Sequence, residues 1–197
     1  MEDEVRKVVE ARIKEFESLR SSSREDLFKE LCFCILAANF SAERSLRIVE
    51  EIGDDLLKLS EEELAEALRR LGHRFPSSRA RYIVQARRSL DELVKVLETI
   101  DDEFMVREWL VRNVKGVGYK EASHFLRNIG FKNLSIIDFH IIDLLARYGL
   151  IKRPRSLTRR RYLEIEGLLR RISEKLGISL AELDLYLWYM ETGRILK

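Results

Sequence analysis

The stretch Val114-Lys115-Gly116-Val117-Gly118-Tyr119-Lys120 joins two segments that both have the apolar spacing of amphipathic helices. Two glycines one residue apart allow a tight reversal with positive φ at either position. Such a turn leaves successive backbone N–H groups unpaired at the start of the next helix, where they and the helix dipole favour an anion. The stretch predicts a helix-hairpin-helix at about residues 104–130 with a phosphate seat in its turn. An ordinary turn is the simpler alternative, because a lone G-x-G is a weak signal.

Lys120 lies in the first turn of the second predicted hairpin helix. Cations suit the opposite end of a helix, so this lysine is poorly placed for stability and is a candidate nucleophile. Asp138 follows 18 residues later, immediately before an apolar helix predicted at residues 139–148. Its commonest use there is to cap that helix, but a carboxylate in this place can also stabilise developing positive charge.

Composition predicts an all-α protein, because aliphatic residues are plentiful while Gly, Pro and strand signals are scarce. We expect one domain over residues 1–197, made of two helical lobes with the hairpin at their junction. The longest apolar runs are too short to span a bilayer, which predicts a soluble, cytoplasmic protein without membrane contact. Cys32 and Cys34 are the two cysteines of the chain, so a four-cysteine iron–sulfur or zinc site is excluded and no metal site is expected.

Charge is balanced overall, with a net charge of +2, but basic residues are concentrated in the C-terminal third. The cluster consists of Lys152, Arg153, Arg155, Arg159, Arg160 and Arg161. These side chains could neutralise several phosphates, or they could form an ordinary solvated face.

Three further positions have both a structural and a functional interpretation. Asn39 stands between two predicted helices, where an amide usually serves the helix terminus. Pro76 keeps Phe75 out of the helical region, so an aromatic ring lies on a loop beside Arg74; it is either a minor core anchor or a wedge for base stacks. His140 lies in the first turn of the Asp138 helix, where a structural role is the commoner one. The last predicted helix, residues 180–192, is apolar almost all round and is expected to be buried.

Residues 110–128 followed by Ile136-Ile137-Asp138-Phe139-His140 resemble the helix-hairpin-helix DNA glycosylase superfamily. The G-V-G-x-K hairpin with an aspartate 18 residues after the lysine is the pattern of its bifunctional members. The resemblance extends to Leu71-Gly72-His73-Arg74-Phe75 and to residues 184–189 with the terminal Lys197. These features are similar to the archaeal-type 8-oxoguanine DNA glycosylases, whose fold has two helical lobes and no iron–sulfur cluster.

This resemblance implies that Lys120 is the nucleophile and Asp138 its partner. Asp138 would stabilise positive charge on the sugar, and neutral Lys120 would attack C1′ to form a Schiff base that permits β-elimination. The hairpin residues Lys115, Gly116, Val117 and Gly118 would bind the DNA backbone. Hairpin carbonyls often coordinate a monovalent cation in the family, and no other cofactor is expected.

The resemblance also implies roles outside the hairpin. His140 would lie near the phosphates beside the lesion, Trp188 would stack on the flipped base, and Lys197 would recognise it. Phe75, with Arg74, would wedge into the duplex, and Asn39 would contact the partner base.

The leading hypothesis is therefore a monomeric bifunctional enzyme that removes 8-oxoguanine from double-stranded DNA and then cleaves the strand. Another damaged base, such as an oxidised pyrimidine, is the nearest alternative substrate. A non-catalytic helix-hairpin-helix module would explain the glycines and the basic cluster, but it gives Lys120 and Asp138 no joint purpose. A purely structural helical scaffold is the remaining alternative.

Overall fold

In the computed structural model, which describes residues 3–195, many of the helices begin at a capping side chain. Ser60 and Ser179 form reciprocal capping boxes with Glu63 and Glu182, and Asp102 caps the first hairpin helix. In this part of the chain there are eleven α-helices, one 3₁₀ turn at Gly53–Leu57 and no strand, which confirms the all-α prediction. The helices are α1 (Asp3–Leu19), α2 (Arg24–Ala37), α3 (Ala42–Ile52), α4 (Glu61–Arg70), α5 (Pro76–Arg88), α6 (Leu90–Thr99), α7 (Glu103–Asn113), α8 (Tyr119–Asn128), α9 (Phe139–Arg147), α10 (Arg159–Leu176) and α11 (Leu180–Thr192).

The largest core lies around α2, which packs against α3, α5, α6 and α8. Residues 30–37 of α2 are all buried, so the second half of this helix is surrounded by protein on every side. Its end leads into the loop that holds Asn39. Because α8 packs on the same helix, the end of α2 is fixed relative to Lys120.

A second core is formed by α9, α10 and α11, and Tyr119 at the start of α8 packs against it. A third core joins α1 to α11 through Val9, Phe16, Leu185 and Tyr186. The N-terminal helix therefore packs with the C-terminal one. No helix among residues 3–195 has the length and apolar character needed to cross a bilayer.

A buried ion pair fixes the hairpin to the C-terminal helices. The Arg107 guanidinium on α7 donates to both carboxylate oxygens of Glu166 on α10, at 2.6 and 2.9 Å. The same guanidinium donates to Ser123 Oγ on α8 at 3.2 Å. Both hairpin helices are thus held against α10 by one desolvated group.

Helix α10 begins at Arg159, because Thr158 caps it by accepting a hydrogen bond from the Arg161 N–H. The environment of the last helix differs from the sequence-based expectation. Helix α11 is not buried all round: Met190 is exposed, and Trp188 faces a cleft. Trp188 therefore lines a site and does not belong to a core.

Candidate functional site

A cleft of about 770 Å³ opens between the end of α2, the start of α8, the start of α9 and the outer part of α11. Six of the side chains predicted from the sequence line it: Lys120, Asp138, His140, Trp188, Asn39 and Arg74. Phe75 and the hairpin residues 115–118 lie outside the lining. Lys197 falls outside the described residues.

The hairpin turn uses its two glycines differently. Gly116 has φ +85°, and a Cβ there would lie 2.4 Å from Cδ2 of Tyr82 on α5, so both the conformation and the space require glycine. Gly118 has φ −98°, an ordinary extended conformation. The turn therefore depends on Gly116, and Gly118 is needed less for its backbone.

The expected run of unpaired N–H groups is wrong at two positions of the hairpin. The Val117 N–H donates to the Val114 carbonyl at 3.2 Å. The Gly118 N–H donates to Oε2 of Glu121 at 3.2 Å, because this glutamate reaches back to the helix start as in half of a capping box. A phosphate at this turn would meet the remaining amides and the positive end of the α8 dipole.

Lys120 is the second residue of α8, and its side chain is 22 % exposed at the wall of the cleft. Its Nζ lies 3.8 Å from Oε1 of Glu121. Asp138 caps α9, with Oδ1 accepting the Ile141 N–H at 3.0 Å. An amine and a helix-capping carboxylate thus face one cleft from the N-termini of two different helices.

Asp184 on α11 is a cleft residue to which sequence reasoning gave no role. Its Oδ2 accepts a hydrogen bond from the buried Arg127 guanidinium at 2.8 Å, and its side chain is 13 % exposed. Burial raises the pKa of Asp184 to about 6; the Arg127 charge opposes this shift, the Asp138 charge adds to it, and the Lys120 charge opposes it. The charges of both predicted catalytic groups, Lys120 and Asp138, therefore act on the Asp184 carboxyl group.

Arg127 belongs to a chain of buried polar groups that runs behind the cleft. Its Nε donates to Oδ1 of Asn128 at 2.9 Å, and Asn128 Nδ2 donates to Oε1 of Glu30 on α2 at 2.5 Å. These contacts join α2, α8 and α11. The sequence signal that could have found them is a charged or amide residue within an otherwise apolar helix, as at Glu30 and Asp184.

His140 and Trp188 form the aromatic side of the cleft. Their ring centroids are 5.5 Å apart with the planes at 90°, and His140 also lies 4.0 Å from the Phe139 ring. The indole N–H of Trp188 is buried without a hydrogen-bond partner among residues 3–195. An indole face and an imidazole are thus available to a planar ligand.

The opposite rim consists of two loops. Asn39 has φ +57°, the one positive φ of a non-glycine residue between positions 3 and 195. Phe75 is 36 % exposed, with the Arg74 guanidinium 5.0 Å and the Arg79 guanidinium 5.6 Å from its ring. Its ring is therefore not a core anchor.

Much of the basic cluster is neutralised within the chain and lies away from the cleft lining. Arg159 pairs with Glu108 at 2.9 Å, and Arg160 and Arg161 both pair with Glu164. Arg153 pairs with Asp143 at 3.1 Å. These pairs favour the simpler interpretation of a solvated face.

Comparisons with known proteins show which family has this sequence and fold. A family described as 8-oxoguanine DNA glycosylase matches residues 9–178. An 8-oxoguanine DNA glycosylase/AP lyase of Korarchaeum cryptofilum is 60 % identical over 194 residues, which cover 98 % of this chain and 92 % of that protein. A crystal structure of the Methanocaldococcus jannaschii 8-oxoguanine glycosylase/lyase with a 15mer DNA containing 8-oxoguanine has a TM-score of 0.96 at 52 % identity, covering 99 % of this chain and 94 % of that one. The 8-oxoguanine DNA glycosylase of Thermotoga maritima gives a TM-score of 0.93 at 47 % identity, with 99 % and 94 % covered.

Proposed function

Since the chain belongs to the 8-oxoguanine DNA glycosylase family, we infer that it removes 8-oxoguanine from duplex DNA and then cleaves the strand at the abasic site. The observation that carries the mechanism is the placement of Lys120 and Asp138 at two helix N-termini facing one cleft. A target base must leave the stack before its glycosidic bond can be reached, and the cleft provides the space for it.

In the proposed chemistry, the bond between the base and C1′ breaks as the amine of Lys120 bonds to C1′. Positive charge develops on the sugar, and the free oxygen of Asp138 stabilises it while Oδ1 remains bonded to the Ile141 N–H. The base leaves with the bonding electrons and takes a proton from water. Opening of the sugar ring moves a proton from the attached amine to the ring oxygen and gives a protonated imine on Lys120. Transfer of a proton from C2′ to water then expels the 3′ phosphate and cleaves the strand.

The DNA contacts are proposals of the same kind. Lys115 and the hairpin backbone from Gly116 to Gly118 would bind phosphates on one side of the lesion, and His140 would bind phosphates beside it.

Contacts to the bases are proposed for other parts of the cleft. Trp188 would stack on the flipped base, with Lys197 as a further recognition element. Phe75 and Arg74 would enter the duplex, and Asn39 would meet the base left without a partner.

A monovalent cation at the hairpin carbonyls fits one feature of the turn. The Val114 carbonyl accepts the Val117 N–H in a long hydrogen bond of 3.2 Å, so a lone pair of its oxygen is available to a cation. Such an ion would supply positive charge for a DNA phosphate.

We further propose that the protein acts as a monomer in the cytoplasm, where the genomic DNA of a prokaryote lies. Light scattering of the free protein tests the monomeric state.

Borohydride trapping tests the reaction and its nucleophile together. With a duplex containing 8-oxoguanine, reduction of the imine will leave protein covalently attached to DNA. Lys120→Gln is expected to abolish the adduct. Lys95→Gln is the matched control, because Lys95 is an exposed lysine of α6 outside the cleft, and it is expected to leave the adduct at the wild-type level.

The outcomes separate the alternatives. Persistence of the adduct in Lys120→Gln would refute the assigned nucleophile. Duplex binding without any adduct or strand cleavage by the wild-type protein would favour a non-catalytic hairpin module. Trapping on an oxidised pyrimidine in preference to 8-oxoguanine would refute the proposed substrate and keep the mechanism.

A further inference from the structure

Three side chains hold the two loops on the rim of the cleft, and one of them, His73, joins the loops to each other. We define the reading loops as residues 36–41, which contain Asn39, and residues 72–75, which contain Phe75. Arg79 donates to the Ala38 carbonyl at 2.5 Å, and Arg44 donates to the Gly72 carbonyl at 2.8 Å. His73 Nε2 lies 3.0 Å from the Leu36 carbonyl. Each loop is thus bonded to the other or to a helix beside it.

His73 uses both of its ring nitrogens in this arrangement. The Phe75 N–H donates to Nδ1 at 3.0 Å, so Nδ1 carries no proton and Nε2–H donates to the Leu36 carbonyl. The ring is buried and packs 4.2 Å from the Phe40 ring, centroid to centroid. One side chain therefore connects the backbone before Asn39 with the backbone of Phe75 itself.

We propose that His73 is a positioning residue that holds Asn39 and Phe75 as one preformed unit for the base opposite the excised one. This inference rests on the roles proposed above for those two residues. A wedge and a base contact that are already in place avoid the entropy of ordering two loops when the duplex binds. The duplex is then distorted against a rigid rim, and the lesion strand is displaced toward Lys120.

The arrangement requires the neutral imidazole, because an imidazolium has a proton on Nδ1 and cannot accept from Phe75. Burial lowers the pKa of His73; the Leu36 carbonyl opposes that shift, while the Arg79 charge from α5 and the Arg44 charge from α3 add to it. A depressed pKa means that the tie is present above the ordinary value of about 6.5 and is lost as the pH falls through the lower folded value.

Two substitutions separate the two hydrogen bonds of His73. In His73→Asn, the side-chain carbonyl oxygen takes the place of Nδ1 and keeps the Phe75 bond without the Leu36 bond. In His73→Gln, the side-chain N–H reaches the place of Nε2 and keeps the Leu36 bond without the Phe75 bond. Neither amide titrates near neutral pH, and both substitutions keep a polar group in the buried site.

The readout is the excision rate on duplexes that carry each of the four bases opposite 8-oxoguanine, together with the fluorescence of 2-aminopurine at that opposite position. Each variant is expected to lose about tenfold in kcat/KM on the duplex, as for one lost hydrogen bond, and to lose most of the fluorescence rise on binding. Cleavage of a single strand containing an abasic site needs no partner base and is expected to stay at the wild-type rate. The wild-type fluorescence rise will fall as the pH is lowered through the depressed folded pKa of His73, which lies below the ordinary value of about 6.5, whereas that of His73→Asn will not change with pH.

Controls separate this inference from the proposed function. Val96→Ala, a truncation in the buried core of α6, supplies a destabilised protein with intact reading loops and is expected to keep the wild-type fluorescence rise. If Phe75→Ala and Asn39→Ala leave the rise and the duplex rate unchanged, their assigned roles are wrong and the inference falls with them. If they lower both quantities while the two His73 variants behave as wild type, only the positioning role is overturned.

Discussion

The two sides of the cleft are held in place by different means. On one side, the wall formed by Lys120, Asp138 and Asp184 is set on helices, and its positions follow from the starts of α8 and α9 and from the buried Arg127 behind them. On the other side, residues 38–41 and 72–75 of the reading loops lie outside the helices, and the loops are held by side chains that bond to backbone carbonyls 28 to 41 residues away. The wall is therefore fixed by local sequence and core packing, whereas the loops depend on a few individual hydrogen bonds.

The largest effect is expected for Arg127→Met, which removes the support of the wall. Asp184 would remain buried without its cation, and breaking a buried pair in this way costs about 3–5 kcal/mol of unfolding free energy. Without Arg127, the pKa of Asp184 will rise further above about 6, so the loss is expected to shrink as the pH is lowered through that value and the carboxyl becomes neutral. Chemical denaturation at pH 7.5 and pH 5 measures both quantities.

The control for this prediction is Arg153→Met, which breaks an exposed ion pair with Asp143 on α9, the helix that Asp138 caps. Its cost is expected to be below about 1 kcal/mol at either pH. Equal losses in the two variants would show that the buried pair does not support the wall. The double variant Arg127→Met with Asp184→Leu should recover part of the stability, since the Asp184 carboxylate is then no longer buried without its cation.

The next largest effect is expected for Asp138→Asn, which removes the carboxylate charge from the wall without unfolding the protein. Asparagine caps a helix as well as aspartate does, so α9 should keep its start. Loss of the carboxylate charge should slow base excision by about 10²-fold or more, with little change in duplex affinity. Single-turnover rates and DNA binding measured on the same duplex separate the two effects.

Asp102→Asn is the matched control, because Asp102 caps α7 through the N–H groups of Phe104 and Met105 and lies outside the cleft. We expect the wild-type excision rate for this variant. A similar slowing in both variants would mean that the Asp138 effect comes from helix capping and not from charge at the reaction centre.

The same comparison explains what could be predicted from the sequence. Capping residues, helical apolar spacing and the hairpin pattern are local, and they place Lys120 and Asp138 at helix starts without knowledge of the fold. The prediction of unpaired amides at Val117 and Gly118 was wrong because it took no account of the Glu121 side chain and the Val114 carbonyl. The environments of Asp184 and His73 could not be predicted, since each depends on a partner that is distant in the chain.

A third prediction concerns Gly116, where the hairpin meets α5, the helix that follows the Phe75 loop. In Gly116→Ala, the new Cβ would lie 2.4 Å from the Tyr82 ring at φ +85°, so the ring or the turn must shift. We expect a loss of about 1–3 kcal/mol of stability and weaker duplex binding. Thermal unfolding and DNA titration measure the two losses.

Gly118→Ala separates backbone strain from the mere addition of a methyl group. Gly118 has φ −98°, and the nearest atom to a Cβ there is the Glu121 carboxylate at 3.2 Å, the end of a flexible side chain. The loss should be smaller than in Gly116→Ala. A larger loss would indicate that the turn depends on Gly118, and that Gly116 can relax by moving Tyr82.

The smallest effect on stability is expected for Asn39→Gly, and it distinguishes the two interpretations of this residue. Glycine adopts φ +57° without strain, so unfolding free energy should change by less than about 0.5 kcal/mol, whereas Asn39→Ala should cost about 1–2 kcal/mol. If Asn39 only shapes the end of α2, Asn39→Gly will excise the lesion at the wild-type rate. If its amide meets the partner base, both variants will lose excision on the duplex to the same extent despite their different stabilities. Cleavage of a single-stranded abasic site will be unchanged in both, because Lys120 on the opposite wall does not depend on the loop.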